Sequence, residues 1–431
     1  MVASSMTVRL VHTSDWHLGH SLHDLDRTAE HRAFLGWLAV LCVRERADAL
    51  LVAGDVFDVS NPPAAAVALL AGFLVDLWKR LDRLQVIVIG GNHDSAHRLE
   101  TTEPFLRALG RLHVLGGLPR LDGALDADRA LIRVEGAGGS ALVAAVPYLR
   151  AADLRADDLG GDPSAPIRRV HDELLGAARA RLRPGEPLVT MGHLFVAGGA
   201  ASSSERQLVG GVGAVPADAF PPDVAYAALG HLHRPQAVAG RLRYSGAPIP
   251  LSFDEAAYRQ QILVVDLAGG AAAAVRAVEV PRTRDLLRVP QDDFAPLDEV
   301  LAALRALPAR GELAEEARPL LEVRVRLPRP EPTLRARLDE ALEGRAARLV
   351  KWQVALQGDG AALGDGDAAV ALSDLDPVDV FRRRWSATYP GDPPPELLAA
   401  FDDLLAEARC ETAPAVTVPA AVAPAAAEVI A

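Results

Sequence analysis

Seven residues of this 431-residue chain have the types and spacing to hold metal: Asp15, His17, Asp55, Asn92, His193, His231 and His233. They sit in short polar clusters, SDWHLG, GDVFD, GNHD, GHLF and GHLHRP. Two carboxylates, four imidazoles and one carboxamide make a mixed oxygen and nitrogen ligand set without a thiolate. Such a set suits manganese, iron or zinc, and is too rich in nitrogen for calcium. One ion rarely takes seven protein ligands. Two ions sharing a bridging aspartate can each take about four and still leave positions for water and phosphate. A pair of ions roughly 3.5–4 Å apart suits in-line displacement at phosphorus, activating water and stabilising both the attacking and the leaving oxygen. A lone D-x-H or GH pair is a weak signal. The set D-x-H, G-D-x-x-D, G-N-H-D, G-H and G-H-x-H in one chain is a strong one. His20, His23, His31, His97, His113 and His171 lie outside these clusters and read as surface or satisfied core histidines.

Each cluster follows a short apolar run: Val8–His12, Ala49–Ala53, Val86–Ile89, Leu188–Met191 and Val224–Leu229. Runs of four to six residues bounded by Gly or Pro read as buried strands. Helix-like segments lie between them at Thr28–Ala47, Ala64–Leu84 and Ile167–Leu182. Alternating strands and helices predict an α/β core, and the clusters should gather at the carboxyl ends of its strands, where such folds bind ligands. After about residue 280 the pattern changes. Leu297–Leu307 and Thr333–Leu342 read as helices, and Leu320–Leu327 and Arg348–Leu356 as strands, enough for a small α+β domain over 281–356. Residues 357–375 contain a Gly/Asp/Ala-rich linker, and 376–411 hold two short amphipathic helices, Pro377–Trp385 and Pro395–Arg409. The tail 412–431 is low in complexity and expected to be disordered.

Half of the residues are apolar, which excludes a mostly disordered chain. Cys42 and Cys410 are the only cysteines, too few for a zinc cluster or a disulfide framework. No export signal and no membrane-length apolar run are visible, so a cytoplasmic protein without a membrane partner is expected. The formal charge of −12 argues at first against nucleic acid, but it is unevenly spread. Residues 1–280 carry 27 basic and 31 acidic side chains (−4), 281–355 carry 14 and 13 (+1), and 356–431 carry 4 and 13 (−9). The acidity is concentrated away from the metal-ligand clusters, and two divalent ions would bring positive charge to where phosphate must bind.

Taken in order, SDWHLG, GDVFD, GNHD, GHL and GHLH resemble the calcineurin-like metallophosphoesterase superfamily. The longer stretches AEHRAFLGWL (29–38), LVAGDVFDVSNPP (51–63), FPPDVAYAALGHLHRPQ (220–236) and YSGAPIPLSFDE (244–255) resemble its SbcD branch, nuclease subunits related to double-strand-break repair nucleases. The resemblance is dense to about residue 270 and looser beyond. It implies an α/β fold: a β-sandwich flanked by helices, with 1–280 as the nuclease domain, 281–356 as a cap and 376–411 as a segment docking on a partner. It implies that Asp15, His17, Asp55 and His233 hold one manganese ion and Asp55, Asn92, His193 and His231 the other. His93 matches the family's non-ligand catalytic histidine, which helps the leaving 3′ oxygen depart. Asp94 is expected to orient that imidazole. Asp58 stands where some relatives have a second substrate-facing histidine.

The implied activities are manganese-dependent 3′→5′ exonuclease action on duplex ends and endonuclease action on single strands, hairpins or blocked ends. The implied partner is an SbcC-type coiled-coil ATPase, in an assembly of two chains of each kind working at the nucleoid. No G-x-x-x-x-G-K-[ST] occurs, and lysine stands only at 79 and 351, so an ATP-driven step would belong to that partner. GAGGS (136–140) and GGVG (210–213) read as turns. Two rival readings use the same residues: a small-molecule or protein phosphoesterase, and a scaffold that has lost catalysis. The long C-terminal region weighs against the first and the complete ligand set against the second.

Overall fold

The computed structural model describes residues 7–101, 112–150, 153–154, 164–201, 214–269, 272–356, 377–386, 392–394, 397–398 and 400–401. Strands β1 (Thr7–Thr13), β2 (Ala49–Ala53), β3 (Gln85–Ile89) and β4 (Leu112–Leu115) run parallel in that order. A second six-stranded sheet comprises β5 (Leu131–Gly136), β6 (Gly139–Val146), β7 (Leu188–His193), β8 (Val224–Gly230), β9 (Gln236–Ala239) and β10 (Leu242–Tyr244). Its spatial order is β9-β10-β8-β7-β6-β5, with β6, β7, β8 and β10 parallel. The chain then returns to the first sheet as β11 (Gln261–Ala268), antiparallel to β1, and β12 (Ala274–Glu279) outside it.

The period-2 alternation of strand side chains lets each strand of the first sheet serve two cores. In the first sheet Val8, Leu10, Leu51, Ala53, Ile87 and Ile89 join one core with Val143, Met191 and Tyr226 of the second. Their neighbours Val11, Leu50, Val52, Val86 and Val88 face the other way, into a core with helices α1 (Thr28–Glu45) and α2 (Ala64–Arg80). Strands buried on both faces carry near-continuous apolar runs, which is what the sequence shows at these positions. The sandwich and its flanking helices are thus those expected. Boundaries shift by a few residues: α1 stops at Glu45 because Arg46 turns left-handed at φ +52°, and α2 stops at Arg80. The helix expected at Ile167–Leu182 spans Ala165–Arg179. GAGGS forms the turn between β5 and β6, whereas GGVG lies outside the described residues.

Residues 286–356 add a four-stranded parallel sheet with Leu320–Leu327 paired to Leu286–Val289, Ala295–Pro296 and Arg348–Leu356. Helices Leu297–Ala306 and Leu334–Ala341 pack on it around Val300, Leu304, Val323, Val325 and Leu338. This sheet and the sandwich belong to one compact unit, residues 1–357, and residues 358–431 form another. Within the second, Pro377–Ser386 is helical and Phe381 stacks on Phe401 with ring centroids 4.4 Å apart. The linker expected at 357–375, most of the second docking helix and the tail at 412–431 fall outside the described residues.

Candidate metal centre

The carboxyl ends of β1, β2, β3, β7 and β8 carry the seven ligand candidates, and the two sheets bring those ends together. Loop-to-loop bonds lock the first two clusters. Asp15 N–H donates to Gly54 O (3.0 Å), His17 N–H to Asp55 O (3.0 Å) and Leu18 N–H to Val56 O (2.9 Å). The backbone here is strained. Asp15, His17, Asp55 and His231 have φ of +54°, +48°, +48° and +100°, a region that side-chain-bearing residues rarely enter. Each such residue costs on the order of 1 kcal/mol and persists because the loops are pinned to one another. Glycine before the ligands has a spatial cause. A Cβ on Gly54, itself at φ +89°, would lie 2.2 Å from His193 Nδ1, and one on Gly91 would lie 2.1 Å from Asp55 Oδ1.

Asp55 stands at the middle. Its Oδ2 is 3.6 Å from His17 Nε2 and 3.4 Å from His193 Nε2. Asn92 Oδ1 is 3.0 Å from both His193 Nε2 and His231 Nδ1. Asp15 Oδ1 accepts from the His231 backbone N–H (2.9 Å), and Asp15, His17 and His233 bring ligand atoms within 4.8 Å of one another. Asp15, Asp55 and His193 do so too, crossing the division into two four-ligand sets. All seven positions therefore converge, and five of them are buried.

The tautomers suit a cation. His193 Nδ1–H donates to Ala53 O (2.8 Å), His17 Nδ1 pairs with Asp58 Oδ1 (3.2 Å) and His233 Nδ1 with Glu255 Oε1 (2.9 Å). Such partners turn each Nε2 lone pair inward and raise its basicity. His17 Nε2 is buried with no hydrogen-bond partner, an orphan that a bound ion would satisfy. Electrostatics agree. Burial opposes ionisation of Asp55, yet His193, then His17 and His93, hold its carboxyl well below the usual range. Burial likewise opposes the charge on His193, but Asp55 and then Asp15 drive it up to about 9. Burial and the neighbouring His193 push His231 down to about 3. The carboxylates therefore favour positive charge beside them, and the donor set fits divalent ions.

Two family models match the chain: calcineurin-like phosphoesterase over residues 8–235, and the type 5 capsule protein repressor C-terminal domain over 282–389. Among curated proteins, the SbcD subunit of the SbcCD nuclease from Rhodobacter capsulatus is 45% identical over 353 residues, covering 79% of this chain and 86% of that protein. The chain belongs to the SbcD family. The corresponding SbcCD nuclease subunits from Escherichia coli and Bacillus subtilis are 35% and 34% identical, each over 65% of this chain and 70% and 72% of theirs.

In this SbcD-family chain the expected role of Asp94 needs correction. Its carboxylate accepts three backbone N–H bonds, from Val56 (3.1 Å), Phe57 (2.9 Å) and Gly91 (2.9 Å), and so ties the GDVFD loop to the GNHD loop. Burial and the Asp55 charge push its pKa up to about 6 against the pull of those amides. The imidazole of His93 is held instead by the carbonyl of Asp58, 2.6 Å from Nδ1. Asp58 therefore serves two histidines, His93 through its backbone and His17 through its side chain. Glu255 does not stand out in the sequence as a site residue. It lies in the SFDE stretch, 22 residues beyond His233, and only the fold brings the two together. None of the other seven histidines, His12 among them, belongs to the clusters of ligand atoms found among the described residues. His31 sits on the Trp16 carbonyl and His171 packs edge-on to Phe220.

Proposed function

We propose that this chain is the nuclease subunit of an SbcC–SbcD-type complex, hydrolysing phosphodiester bonds at DNA ends with two divalent ions, most simply manganese. The observation that carries the reading is Asp55, whose single oxygen Oδ2 is 3.6 Å from Nε2 of His17, in the loop after a strand of the first sheet, and 3.4 Å from Nε2 of His193, at the end of a strand of the second. Asp15, His17, Asp55 and His233 would hold one ion, and Asp55, Asn92, His193 and His231 the other. When bound, such ions polarise the phosphoryl oxygens and lower the pKa of water. The rest falls to side chains. With Nδ1 of His93 engaged by the Asp58 carbonyl, Nε2 is the nitrogen that moves a proton, and it assists departure of the 3′ oxygen. His93 N–H also donates to Asp55 Oδ1 (2.8 Å), so the proton-handling residue is indexed to the bridging carboxylate.

The substrates proposed are duplex ends, cut 3′→5′, and hairpins. The partner proposed is an SbcC-type ATPase, docked by 376–411, in a cytoplasmic, nucleoid-associated assembly of two chains of each kind. Pairing of two nuclease chains is supported by α1 and α2, which leave Val40, Val43, Val67 and Val75 exposed. Among the described residues no helix is long and apolar enough to cross a membrane. With 27 basic against 31 acidic side chains, residues 1–280 are near-neutral, so much of the DNA affinity would come from dimerisation and the ATPase. The test is turnover of linear duplex DNA against cyclic nucleotides with manganese, with and without the ATPase. Cleavage of DNA with negligible cyclic-nucleotide turnover is expected; the reverse preference would replace this reading with a small-molecule phosphoesterase.

A further inference from the structure

Three consecutive residues, Phe253–Glu255, form a single 3-10 turn whose side chains go to two different places. Phe253 is 4% exposed in a small core with Leu22 and with Leu286 and Leu320 of the C-terminal sheet, against which Val350 also packs. Asp254 Oδ1 accepts from Arg288 Nη2 (2.8 Å), and Arg288 in turn pairs with the fully buried Glu322 in the same sheet. Glu255, itself fully buried, points the opposite way. Its Oε1 meets His233 Nδ1 at 2.9 Å, and its Oε2 accepts from Leu251 N–H at 2.9 Å. A second fastening lies alongside. Buried Arg27 donates to Pro250 O (2.6 Å) and pairs with Glu30. Arg284, which donates to the carbonyls of Glu315 and Glu316, reaches 3.9 Å from Glu30.

Neighbouring Cα atoms are held about 3.8 Å apart, so a shift of residues 253 and 254 with the cap beyond what the turn's torsions absorb is passed on to residue 255. A carboxylate on the distal nitrogen of a ligating imidazole fixes its tautomer and orientation, and losing it typically costs about 10–100-fold in metal affinity. We propose that Glu255 is the positioning residue for His233, and that the Phe253–Glu255 turn couples the capping sheet to the metal set containing His233. The arrangement of the cap then sets how tightly that ion is held, while among the described residues no such turn ties His193 or His231 to the cap. This rests on the reading of His233 as a ligand.

The test is manganese titration of the full-length chain by calorimetry, with thermal melting in chelator to verify folding. Wild type should bind two ions and Asp55→Ala should disturb both steps. Wild type binding no manganese would overturn the metal reading and this proposal with it. Glu255→Gln keeps the shape and removes the charge, and should weaken one step about 10-fold while sparing the other. Arg288→Ala, which touches no ligand, should weaken the same step several-fold without lowering the other. Two intact steps in Glu255→Gln would overturn the positioning role. An unchanged titration in Arg288→Ala, or equal loss at both steps, would overturn the coupling even with two ions bound to wild type. Should Arg288→Ala melt early, Asp254→Asn probes the same contact from the other side, with the same outcomes deciding.

Discussion

Replacing Asp94 by alanine distinguishes a carboxylate that performs chemistry from one that holds two loops. Asp94 is 3% exposed and its two oxygens accept from Val56, Phe57 and Gly91. Removal leaves three buried N–H groups without an acceptor, at roughly 1–3 kcal/mol each. Some will find water or relax, so a loss of about 4 kcal/mol is expected, on the order of 10 °C in melting temperature. Asp94→Asn retains one acceptor oxygen and turns an NH2 group toward at least one N–H, so about half that loss should follow. The comparison is His93→Ala, whose side chain is only partly buried: its stability should stay within about 1 kcal/mol while the cleavage rate falls about 10²–10⁴-fold. Urea unfolding in chelator, beside manganese-dependent cleavage of end-labelled duplex, measures both quantities. An Asp94→Ala protein as stable as wild type but as inactive as His93→Ala would contradict this, and would restore Asp94 as a partner of the His93 imidazole.

Asp58→Asn weakens the partner of His17 Nδ1 but leaves the carbonyl that holds His93. The manganese needed for half-maximal cleavage should rise about 10-fold, with the rate at saturating metal within about twofold of wild type; a fall in the saturating rate alone would contradict this. Gly91→Ala puts a Cβ 2.1 Å from Asp55 Oδ1 and 2.3 Å from its backbone N, so the GDVFD and GNHD loops must part by more than about 1 Å. Cleavage should fall at least about 10²-fold, and a near-normal rate would show that the loops yield freely. His12, His31 and His171 are fully buried, and burial pushes them down to about 3, about 3 and about 4. Their stabilising effect is complete above the ordinary histidine value of 6.5 and is lost as pH falls below it, because the unfolded chain protonates first. At about pH 5 each should cost about 2 kcal/mol. Urea midpoints in chelator should fall accordingly, and His171→Leu should flatten the slope; an unchanged slope would place the acid sensitivity elsewhere.

How much of this was legible in the residues follows from how local each determinant is. The five strand ends that carry the ligand candidates were readable because doubly buried parallel strands are apolar throughout and stop where the chain turns polar. Gly54 and Gly91 mark places where two such ends nearly touch. The partition into two sheets was carried by family resemblance rather than by periodicity, since a run buried on both faces does not say which sheet it joins. Glu255 is hidden in the sequence because its partner His233 lies across a loop held by Arg27, with no fixed spacing to reveal it. Asp94 was misassigned for the opposite reason. Its neighbour in sequence is His93, but the curvature of the loop turns its carboxylate back onto three amides. Asp58 gained its role from a backbone carbonyl, which no residue type announces.

The claim most exposed to test is that one aspartate serves both halves of the centre and that the centre cuts DNA. The decisive measurement is the rate at which full-length protein, with its ATPase partner and manganese, releases label from 3′-labelled duplex DNA, for wild type and Asp55→Ala. Wild type should give steady manganese-dependent release, abolished by chelator. Asp55→Ala should give no detectable release while still melting cooperatively. Release at the wild-type rate by a well-folded Asp55→Ala protein would contradict the assignment of the site.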